Sequence, residues 1–440
     1  MKCLIIAAGK GSRLQNRGGC KPLIPVLGVP LIERVIRSAH EAGADEFFVV
    51  TGYMGEQVCA FLGQLANRLK IPITPLVNVD WEKENGLSVL KARQYLREPF
   101  LLLMADHLFD PAIALELMKL PLDDAEVILA VDRDITNPLI DLQDVTRIKN
   151  EAGKIHSIGK GLTDFNGFDT GIFLCTPAVF DALERCANKH GDTTLSGAMR
   201  ILAAEGRAKT SDIGSRFWID VDDPAAFWRA EKALLARMRN KLNDGPVSRL
   251  FNRPLSVKIS RWLVNYPITP NQISLFSFLV SVLAAGLFAL GGYPALLLGG
   301  LLAQFASVID GCDGEVARLK FQGSDYGGWL DAVLDRYADA FLLFGLTWHA
   351  CAGSADGLVL LTGFLAIIGS FMLSYTADKY DSLMHGRIRR GRGLRMGRDV
   401  RIFLIFLGAL FNQVYLTLIV IALVMNVETM RRLNICRDNG

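Results

Sequence analysis

The 440-residue sequence has few features of an extracellular, redox-active or zinc-binding protein. Its eight cysteines show no CxxC spacing, and several lie in apolar segments, so we expect reduced thiols without a chemical role. The apolar run in the first residues, MKCLIIAAGKG, is too short for a signal peptide and predicts a buried strand. The net charge of +3 is small and gives no reason to expect a nucleic-acid partner.

Long apolar runs are also missing up to about residue 236, and they recur from residue 272 onward. A transmembrane helix needs about 20 apolar residues, and six segments come near that length, although the fifth is shorter. We therefore expect an all-α membrane domain of six transmembrane helices, at residues 272 to 291, 294 to 316, 327 to 350, 355 to 377, 399 to 412 and 413 to 429.

Basic residues cluster between the fourth and fifth predicted spans. Loops rich in Lys and Arg remain in the cytoplasm, and an even number of spans returns the chain to the side on which it began. We therefore expect a multi-pass protein of the cell membrane whose N-terminal domain and C-terminus are both cytoplasmic. The basic cluster consists of Lys379, Arg387, Arg389, Arg390, Arg392, Arg395 and Arg398.

The first half of the chain contains short β-rich runs, most of them separated by helical patterns. This alternation is typical of a mostly parallel sheet with helices on both faces. The predicted strands lie at residues 4 to 9, 46 to 52, 73 to 78, 99 to 106 and 127 to 132.

A glycine-rich loop, AAGKGSRL at residues 7 to 14, follows the first predicted strand. Glycines at this place let backbone N–H groups approach a phosphate chain, and the next helix N-terminus adds a positive dipole. A dinucleotide-binding fingerprint would need a third glycine where Leu14 stands, and the GK[ST] ending of a P-loop is absent. The loop therefore predicts phosphate binding of another class.

The loop, with Lys21-Pro22, and four later motifs resemble the sugar-phosphate nucleotidyltransferase family over about residues 1 to 235. The later motifs are ENGLS at 84 to 88, MADH at 104 to 107, DTG at 169 to 171 and WIDVD at 218 to 222. The resemblance implies an α/β nucleotidyltransferase fold with a Rossmann-like mixed sheet. It implies nucleotide contacts with Ala8, Gly9, Gly11, Arg13, Lys21, Asn85, Gly86 and Asp106.

Within this resemblance, Arg13 and Lys21 are the catalytic residues that grip the triphosphate. Asp106, together with Asp220 or Asp222, would bind Mg²⁺. These residue types suit the chemistry, because the attack of one phosphate on another must overcome like-charge repulsion, which a metal ion and basic side chains reduce. For Asp106 alone, a helix cap at a strand end is the alternative interpretation.

A turn signal at Asn243-Asp244-Gly245-Pro246 suggests a domain boundary. The segment from 248 to 264 interleaves basic and apolar residues and predicts an amphipathic helix at the membrane surface. A helix that faces a protein partner is the alternative. We expect a cytosolic nucleotidyltransferase domain at 1 to 237, a linker with the interfacial helix at 238 to 265, and a membrane domain at 266 to 440.

Four aspartates in the second half carry the most specific pattern of the chain: Asp310, Asp313, Asp331 and Asp335. Their i, i+3 and i, i+4 spacings place each pair on one face of a helix. An ionisable group at the centre of a span costs about 2.5–3.5 kcal/mol on insertion scales, and divalent cations neutralise clustered carboxylates. A cation pathway in a transporter is the alternative, but nearby small residues and an arginine favour a large, phosphate-bearing ligand.

The aspartates and the residues around them match the signature of the CDP-alcohol phosphotransferase family without a departure. The resemblance implies that Asp310, Asp313 and Asp331 bind metal and that two ions, Mg²⁺ or Mn²⁺, are present. It implies that Asp335 combines metal binding with removal of the acceptor hydroxyl proton. It also implies a homodimer formed through the membrane domain, and contacts of the CDP group with Gly314, Ala317, Arg318 and Gly327.

Two arginines, Arg398 and Arg401, lie at the start of the fifth predicted span. Guanidinium groups bind phosphate with paired hydrogen bonds, so both residues are candidates for contact with the phosphate of an anionic acceptor. The alternative is that they only extend toward the membrane surface.

Joined in one chain, the two families suggest consecutive steps, in which the first half makes the CDP-linked alcohol that the second half consumes. This order resembles the family of bifunctional inositol-1-phosphate cytidylyltransferases and di-myo-inositol-phosphate-phosphate synthases. The resemblance implies that CTP and inositol-1-phosphate give CDP-inositol, which then transfers phosphoinositol to a second inositol-1-phosphate. Two alternatives stay open: a transferase that makes a phospholipid, and a first domain that only binds or regulates.

Overall fold

The computed structural model describes residues 1–17, 19–123, 126–239, 245–352, 356–383 and 397–438. It divides into two compact units, Met1–Ala233 and Leu234–Gly440. Part of the predicted boundary turn, Asn243 and Asp244, lies outside the described residues, as does most of the basic cluster, from Arg387 to Arg395.

The first unit alternates strands and helices. Its strands are Lys2–Ala7 (β1), Pro25–Val26 (β2), Val29–Pro30 (β3), Glu46–Thr51 (β4), Ile73–Val77 (β5), Phe100–Met104 (β6), His107–Phe109 (β7), Val127–Asp132 (β8), Arg147–Glu151 (β9), Lys154–Gly159 (β10), Gly167–Cys175 (β11), Ala208–Asp212 (β12) and Trp218–Asp220 (β13). Its α-helices are Leu31–Glu41 (α1), Gly55–Leu69 (α2), Asn85–Leu90 (α3), Pro111–Met118 (α4), Ala178–His190 (α5), Leu195–Ala204 (α6) and Pro224–Arg239 (α7), the last of which continues into the second unit. Short 3₁₀ helices lie at Ser12–Arg17 and Lys21–Leu23.

Nine strands form one mixed sheet in the order β5-β4-β1-β6-β11-β8-β12-β10-β9. β1 runs parallel to β4 and β6, whereas β11 is antiparallel to β6 and β8. Alternate residues of β1 enter different cores, since Cys3 and Ile5 pack in one apolar cluster and Leu4 in another. Helical residues belong to both clusters, so both faces are covered, and the predicted α/β fold with a mixed sheet is confirmed. Each of the five predicted strands overlaps an observed one.

The second unit is helical in its described residues. After a π-helical turn at Ser248–Asn252, its helices are Arg253–Leu263 (α8), Pro270–Leu290 (α9), Tyr293–Leu319 (α10), Asp325–Ala350 (α11), Gly357–Leu383 (α12), Arg398–Leu410 (α13) and Val414–Asp438 (α14). Helix α9 begins at a capping box in which Thr269 and Gln272 bond each other's backbone N–H.

A helix lies at each of the six predicted spans, but only four helices of the described residues are long and apolar enough to cross a bilayer. Helix α11 does not qualify as an apolar span because of its charged residues, which are Asp325, Asp331, Asp335, Arg336 and Asp339. Helix α13 has 13 residues, which extend about 20 Å, against the roughly 30 Å of a hydrocarbon core. The count of six therefore stays a prediction. The four qualifying segments are Pro270–Leu290, Tyr293–Leu319, Gly357–Ala377 and Val414–Asn434.

The predicted amphipathic helix is present as α8, and it packs with its polar side inward. Arg253, Ser256 and Ser260 are buried, and all three donate hydrogen bonds to the carboxylate of Glu315 on α10, at 2.6–2.7 Å. Apolar side chains such as Trp262 remain exposed. The helix is thus attached by its polar face to the helix that carries the first two motif aspartates.

Candidate active sites

The first candidate site lies at the carboxyl ends of parallel strands β1 and β6. A cavity of about 250 Å³ opens there, and Arg13, Asn85 and Asp106 are among the residues that line it. The glycine loop follows β1, and Gly11 has a φ of +60°, at which a Cβ would overlap the Cβ of Lys21. Glycine at this position therefore permits the close approach of the loop to the lysine.

Lys21 lies between two of the predicted aspartates. Its side chain is buried, and its ammonium group donates hydrogen bonds to Asp106 and Asp222. Burial alone would lower the pKa of Lys21, but the carboxylates of Asp106, Asp222 and Asp220 outweigh it and raise the pKa above its ordinary value. The lysine is therefore a stable positive charge at the base of the cavity.

Asp220 has a different partner, His107, which the sequence motifs contained but did not single out. The Nε2 of His107 lies 3.5 Å from Asp220 Oδ2 and 3.8 Å from Asp106 Oδ1, and its Nδ1–H donates to the carbonyl of Thr170 at 2.6 Å. Burial opposes protonation of His107, but the two carboxylates raise its pKa to about 10. Burial raises the pKa of Asp220 to about 6, although His107 acts in the opposite direction.

A divalent cation fits this group. Asp106, His107 and Asp220 each offer a ligand atom, and these atoms lie within 4.8 Å of one another. The Oδ1 of Asp220 is buried and accepts no hydrogen bond from any part of the chain that the structure describes. Of the two aspartates left open by the sequence, Asp220 belongs to this group and Asp222 is bound to Lys21.

The other predicted nucleotide contacts have packing roles as well. Ala8 is buried and its carbonyl accepts from the backbone of Tyr53, whereas the Cβ direction of Gly9 is open. The Oδ1 of Asn85 accepts from the backbone N–H of Leu195 at 2.9 Å, and a Cβ on Gly86 would overlap the carbonyl of Thr193.

Arg13 reaches the rim of the cavity. Its Nη1 lies 2.5 Å from Asp144 Oδ2, and Lys160 contacts the other oxygen of the same carboxylate at 2.5 Å. Asp144 and Lys160 line the cavity but belong to no motif found in the sequence. Because Asp144 lies in a loop and Lys160 directly follows β10, their proximity to Arg13 follows only from the folded sheet.

The second candidate site lies where α10 and α11 face each other. Asp310, Asp331 and Asp335 offer oxygen atoms that lie within 4.8 Å of one another. The Oδ1 of Asp331 is buried and accepts no hydrogen bond within the described ranges. Carboxylate oxygens are the ligands that Mg²⁺ and Mn²⁺ prefer, so the donor set fits the predicted cations.

Asp313 lies one turn further along α10 and is outside this group of three. Its Oδ2 accepts from the Oγ of Ser274 at 2.5 Å, and Asp310 Oδ1 accepts from Ser277 Oγ at 3.3 Å. Ser274 and Ser277 are three positions apart and lie on one face of α9, so this helix contacts both acids of α10 from one side.

The small residues of the motif keep the space beside the aspartates open. A Cβ on Gly314 would lie 3.2 Å from Arg318 Nη1, and one on Gly327 would lie 3.0 Å from Asn271 Oδ1. Gly327 is also the residue whose N–H donates to Ser324 at the start of α11. Ala317 is partly buried and Arg318 is exposed at the end of α10, so all four predicted CDP contacts lie near the ends of the two motif helices.

The two arginines of α13 occupy different places. Arg398 Nη1 lies 2.7 Å from Asp310 Oδ2 and 2.6 Å from Asp335 Oδ1, so the structure brings this residue into the group of aspartates. Arg401 is buried, and its Nη2 lies 2.5 Å from the carboxylate of Asp339, a residue that the sequence motifs did not include. The signal for Asp339 was its spacing of four from Asp335.

Comparison with known proteins covers both halves. The family model described as MobA-like NTP transferase domain matches residues 3–208, and that described as CDP-alcohol phosphatidyltransferase matches residues 267–429. The bifunctional IPC transferase and DIPP synthase of Rubrobacter xylanophilus is 36% identical over 98% of this chain and 95% of that protein. The protein of the same name from Aquifex aeolicus is 32% identical over 97% and 95%. The archaetidylinositol phosphate synthase of Pyrococcus horikoshii is 33% identical over 38% of this chain and 82% of that protein.

Proposed function

The chain belongs to the family of bifunctional IPC transferase and DIPP synthase proteins, and we propose that it catalyses two consecutive transferase reactions. In the first, CTP and inositol-1-phosphate give CDP-inositol and pyrophosphate. In the second, CDP-inositol transfers phosphoinositol to another inositol-1-phosphate, which gives di-myo-inositol-phosphate-phosphate and CMP. The observation that carries this proposal is the similarity to the relatives over both halves, together with an acidic and basic cluster in each.

For the first reaction, we propose that Arg13 and Lys21 bind the triphosphate at the glycine loop. They reduce the repulsion between CTP and the attacking phosphate of inositol-1-phosphate, which needs no general base because it is already an anion. Asp106 and Asp220, with His107 beside them, would hold a divalent cation that supplies further neutralisation of charge. The location of Lys21 between Asp106 and Asp222 supports its assignment.

For the second reaction, we propose that Asp335 takes the proton from the acceptor hydroxyl. The hydroxyl oxygen then forms a bond to the phosphorus that carries inositol, and the bond from that phosphorus to CMP breaks. Asp310, Asp331 and Asp335, with Asp313 beside them, would hold two cations, Mg²⁺ or Mn²⁺, that stabilise the charge on the attacking and leaving oxygens.

The remaining motif residues are proposed to bind the two substrates. Gly314, Ala317, Arg318 and Gly327 would contact the CDP group, and the exposed guanidinium of Arg318 would pair with its phosphates. Arg398, which lies against Asp310 and Asp335, would contact the phosphate of the acceptor, with Arg401 behind it. The chain would form a homodimer through its membrane domain, as the resemblance to the CDP-alcohol phosphotransferase family implies.

The apolar helices and the CDP-alcohol phosphatidyltransferase match indicate a membrane protein. We propose further that it is a multi-pass protein of the cell membrane with its N-terminal domain and C-terminus in the cytoplasm. Protease protection in sealed vesicles tests this orientation. Cleavage of the N-terminal domain from the outside of right-side-out vesicles would contradict it.

The decisive experiment supplies membranes that contain the full chain with CTP, Mg²⁺ and inositol-1-phosphate carrying a labelled ring. We expect the label to pass through CDP-inositol into a water-soluble phosphodiester whose mass equals two inositol-1-phosphates less one water. Label found only in an organic extract would instead support a phospholipid product, the alternative that the match to an archaetidylinositol phosphate synthase favours. Undiminished pyrophosphate release by Asp106→Asn would contradict the proposed role of Asp106, and an unmodified chain that releases no pyrophosphate from CTP would indicate that the first domain has only a binding role.

A further inference from the structure

A buried carboxylate, Asp339, lies one helical turn beyond Asp335 on α11. Asp331, Asp335 and Asp339 are spaced four apart, so their side chains lie along one face of the helix. Asp339 is not a member of the group that would hold cations. Its side chain is only 5% exposed, and a carboxylate buried among apolar helices needs charged or hydrogen-bonding partners.

The partners of Asp339 come from two other helices. Its Oδ2 accepts from Ser370 Oγ on α12 at 3.0 Å and from Arg401 Nη2 on α13 at 2.5 Å. Its Oδ1 faces the Nε of Arg398, also on α13, at 3.4 Å. One carboxylate therefore contacts both arginines at the start of α13 and joins that helix to α11 and α12.

Arg398 is held at both ends of its guanidinium. The Nε side faces Asp339, while Nη1 contacts Asp310 and Asp335. A planar guanidinium that is contacted on two edges cannot change its orientation without losing one set of contacts. Asp339 thus determines how the guanidinium of Arg398 is oriented beside Asp335, the residue proposed to receive the acceptor proton.

We infer that Asp339 is a positioning residue for the acceptor, which orients Arg398 directly and supports it through Arg401. This inference rests on the proposed function of the second half. The ligand in question is the phosphate of a phosphorylated polyol acceptor, and Asp339 acts on it only through the arginines. The bond that forms and the bond that breaks are unchanged by this assignment.

A purely structural role makes a different prediction. If Asp339 only neutralised the buried Arg401, then adding Asp339→Asn to a chain that already carries Arg401→Gln would not weaken acceptor binding further. If Asp339 orients Arg398, the double variant binds the acceptor more weakly than Arg401→Gln alone, because Arg398 also loses its contact with Asp339. Comparison of the double variant Asp339→Asn with Arg401→Gln against Arg401→Gln alone therefore separates the two roles.

The experiment measures CMP release from CDP-inositol by the full chain in membranes, with acceptor and donor concentrations varied separately. Variants are Asp339→Asn, Arg401→Gln, the double variant, and Glu428→Gln as a control that removes a carboxylate paired with Arg431 and Arg432 on α14. Pyrophosphate release from CTP in the same preparation gives the amount of folded chain.

For Asp339→Asn we expect the KM for inositol-1-phosphate to rise about 10-fold or more, the effect of losing one well-oriented charged hydrogen bond, with kcat changed by less than about 3-fold. The KM for CDP-inositol should be unchanged, the double variant should have a higher acceptor KM than Arg401→Gln alone, and Glu428→Gln should resemble the unmodified chain. Equal acceptor KM values in the double variant and in Arg401→Gln overturn the inference, and this comparison holds even if Asp339→Asn alone fails to fold. An unmodified chain without CMP release refutes the proposed function and this inference together.

Discussion

Substitution of Gly171 by alanine tests whether nucleotide transfer depends on the exact place of His107. Gly171 has a φ of +72°, and a Cβ there would overlap Nδ1 of His107 and lie 2.5 Å from its Cε1. The ring has little freedom to withdraw, because its Nδ1–H donates to the carbonyl of Thr170 and its centre lies 6.1 Å from the ring centre of Trp218. The histidine must therefore move relative to Asp106 and Asp220.

The size of the effect follows from two terms. A residue with a side chain in the left-handed region costs about 1–2 kcal/mol of stability. Carbon atoms pack at about 3.5 Å, so a gap of 2.5 Å to Cε1 requires a shift of about 1 Å. A misplacement of about 1 Å in a catalytic group can cost about 10²-fold in rate. We therefore expect kcat/KM for CDP-inositol formation to fall about 10²-fold in Gly171→Ala.

The assay is pyrophosphate release by the purified full chain, with CMP release from added CDP-inositol as an internal reference for folding. Gly153→Ala is the matched control, because Gly153 has a φ of +79° but no atom within 4 Å of its Cβ position. It carries the same backbone strain without displacing a neighbour, so its kcat/KM should stay within about 3-fold of the unmodified chain. Equal activities of the two variants would refute the reasoning about His107.

Three further predictions follow from the two sites. Asp335→Asn should lower kcat for CMP release about 10²–10⁴-fold, the range for a lost general base, and leave pyrophosphate release unchanged; an equal loss of both activities would contradict it. Glu315→Ala should destabilise the membrane half by about 3–5 kcal/mol, seen as a lower thermal midpoint in detergent, because buried Arg253 loses its carboxylate; an unchanged midpoint would contradict the arrangement of α8. Removal of divalent cations by a chelator should abolish both activities and Mg²⁺ should restore them; activity that survives chelation in either assay would contradict the cation assignment there.

The strands and the acidic motifs were readable from the sequence because their signals are local. A short apolar run followed by Asp106 predicts a strand end, and the spacing of the four membrane aspartates depends only on helical periodicity. Asp313 neighbours Asp331, but it accepts a hydrogen bond from Ser274 and lies outside the group of three whose oxygen atoms are within 4.8 Å of one another. That difference depends on the position of α9, which no local spacing specifies.

The choice between Asp220 and Asp222 shows where local reasoning ends. The two residues are two positions apart, so in a strand their side chains would point to the same side. The short strand β13 pairs with β7 and sets Asp220 opposite His107, and it ends there, so Asp222 is free to reach Lys21. The pairing joins segments more than 100 residues apart, and strands of three residues give no periodic signal. His107 could be found only through this pairing.

Asp339 was missed for a related reason. Asp339 continues the spacing of Asp331 and Asp335, but its partners, Arg398 and Arg401, lie on α13 and are brought to it only by the packing of the helices. Without that contact, an acid beyond the family motif has no assigned partner. The arginines were identified as candidates for phosphate binding, but the sequence could not distinguish Arg398, beside the acids, from Arg401, which is buried against Asp339.

In both sites a basic side chain lies between two carboxylates, and the type of side chain, lysine or arginine, suits the contacts that it makes. Lys21 is a compact charge whose pKa burial would lower, and the carboxylates of Asp106 and Asp222 raise it. In the helical half, a guanidinium remains charged whatever its partners, and its separate nitrogens let Arg398 face Asp339 with Nε while Nη1 contacts Asp310 and Asp335. A single ammonium could not make both sets of contacts. The need for an orienting carboxylate therefore arises from the use of arginine. Asp339 contacts Arg398 in the second site, and Asp144 contacts Arg13 in the first.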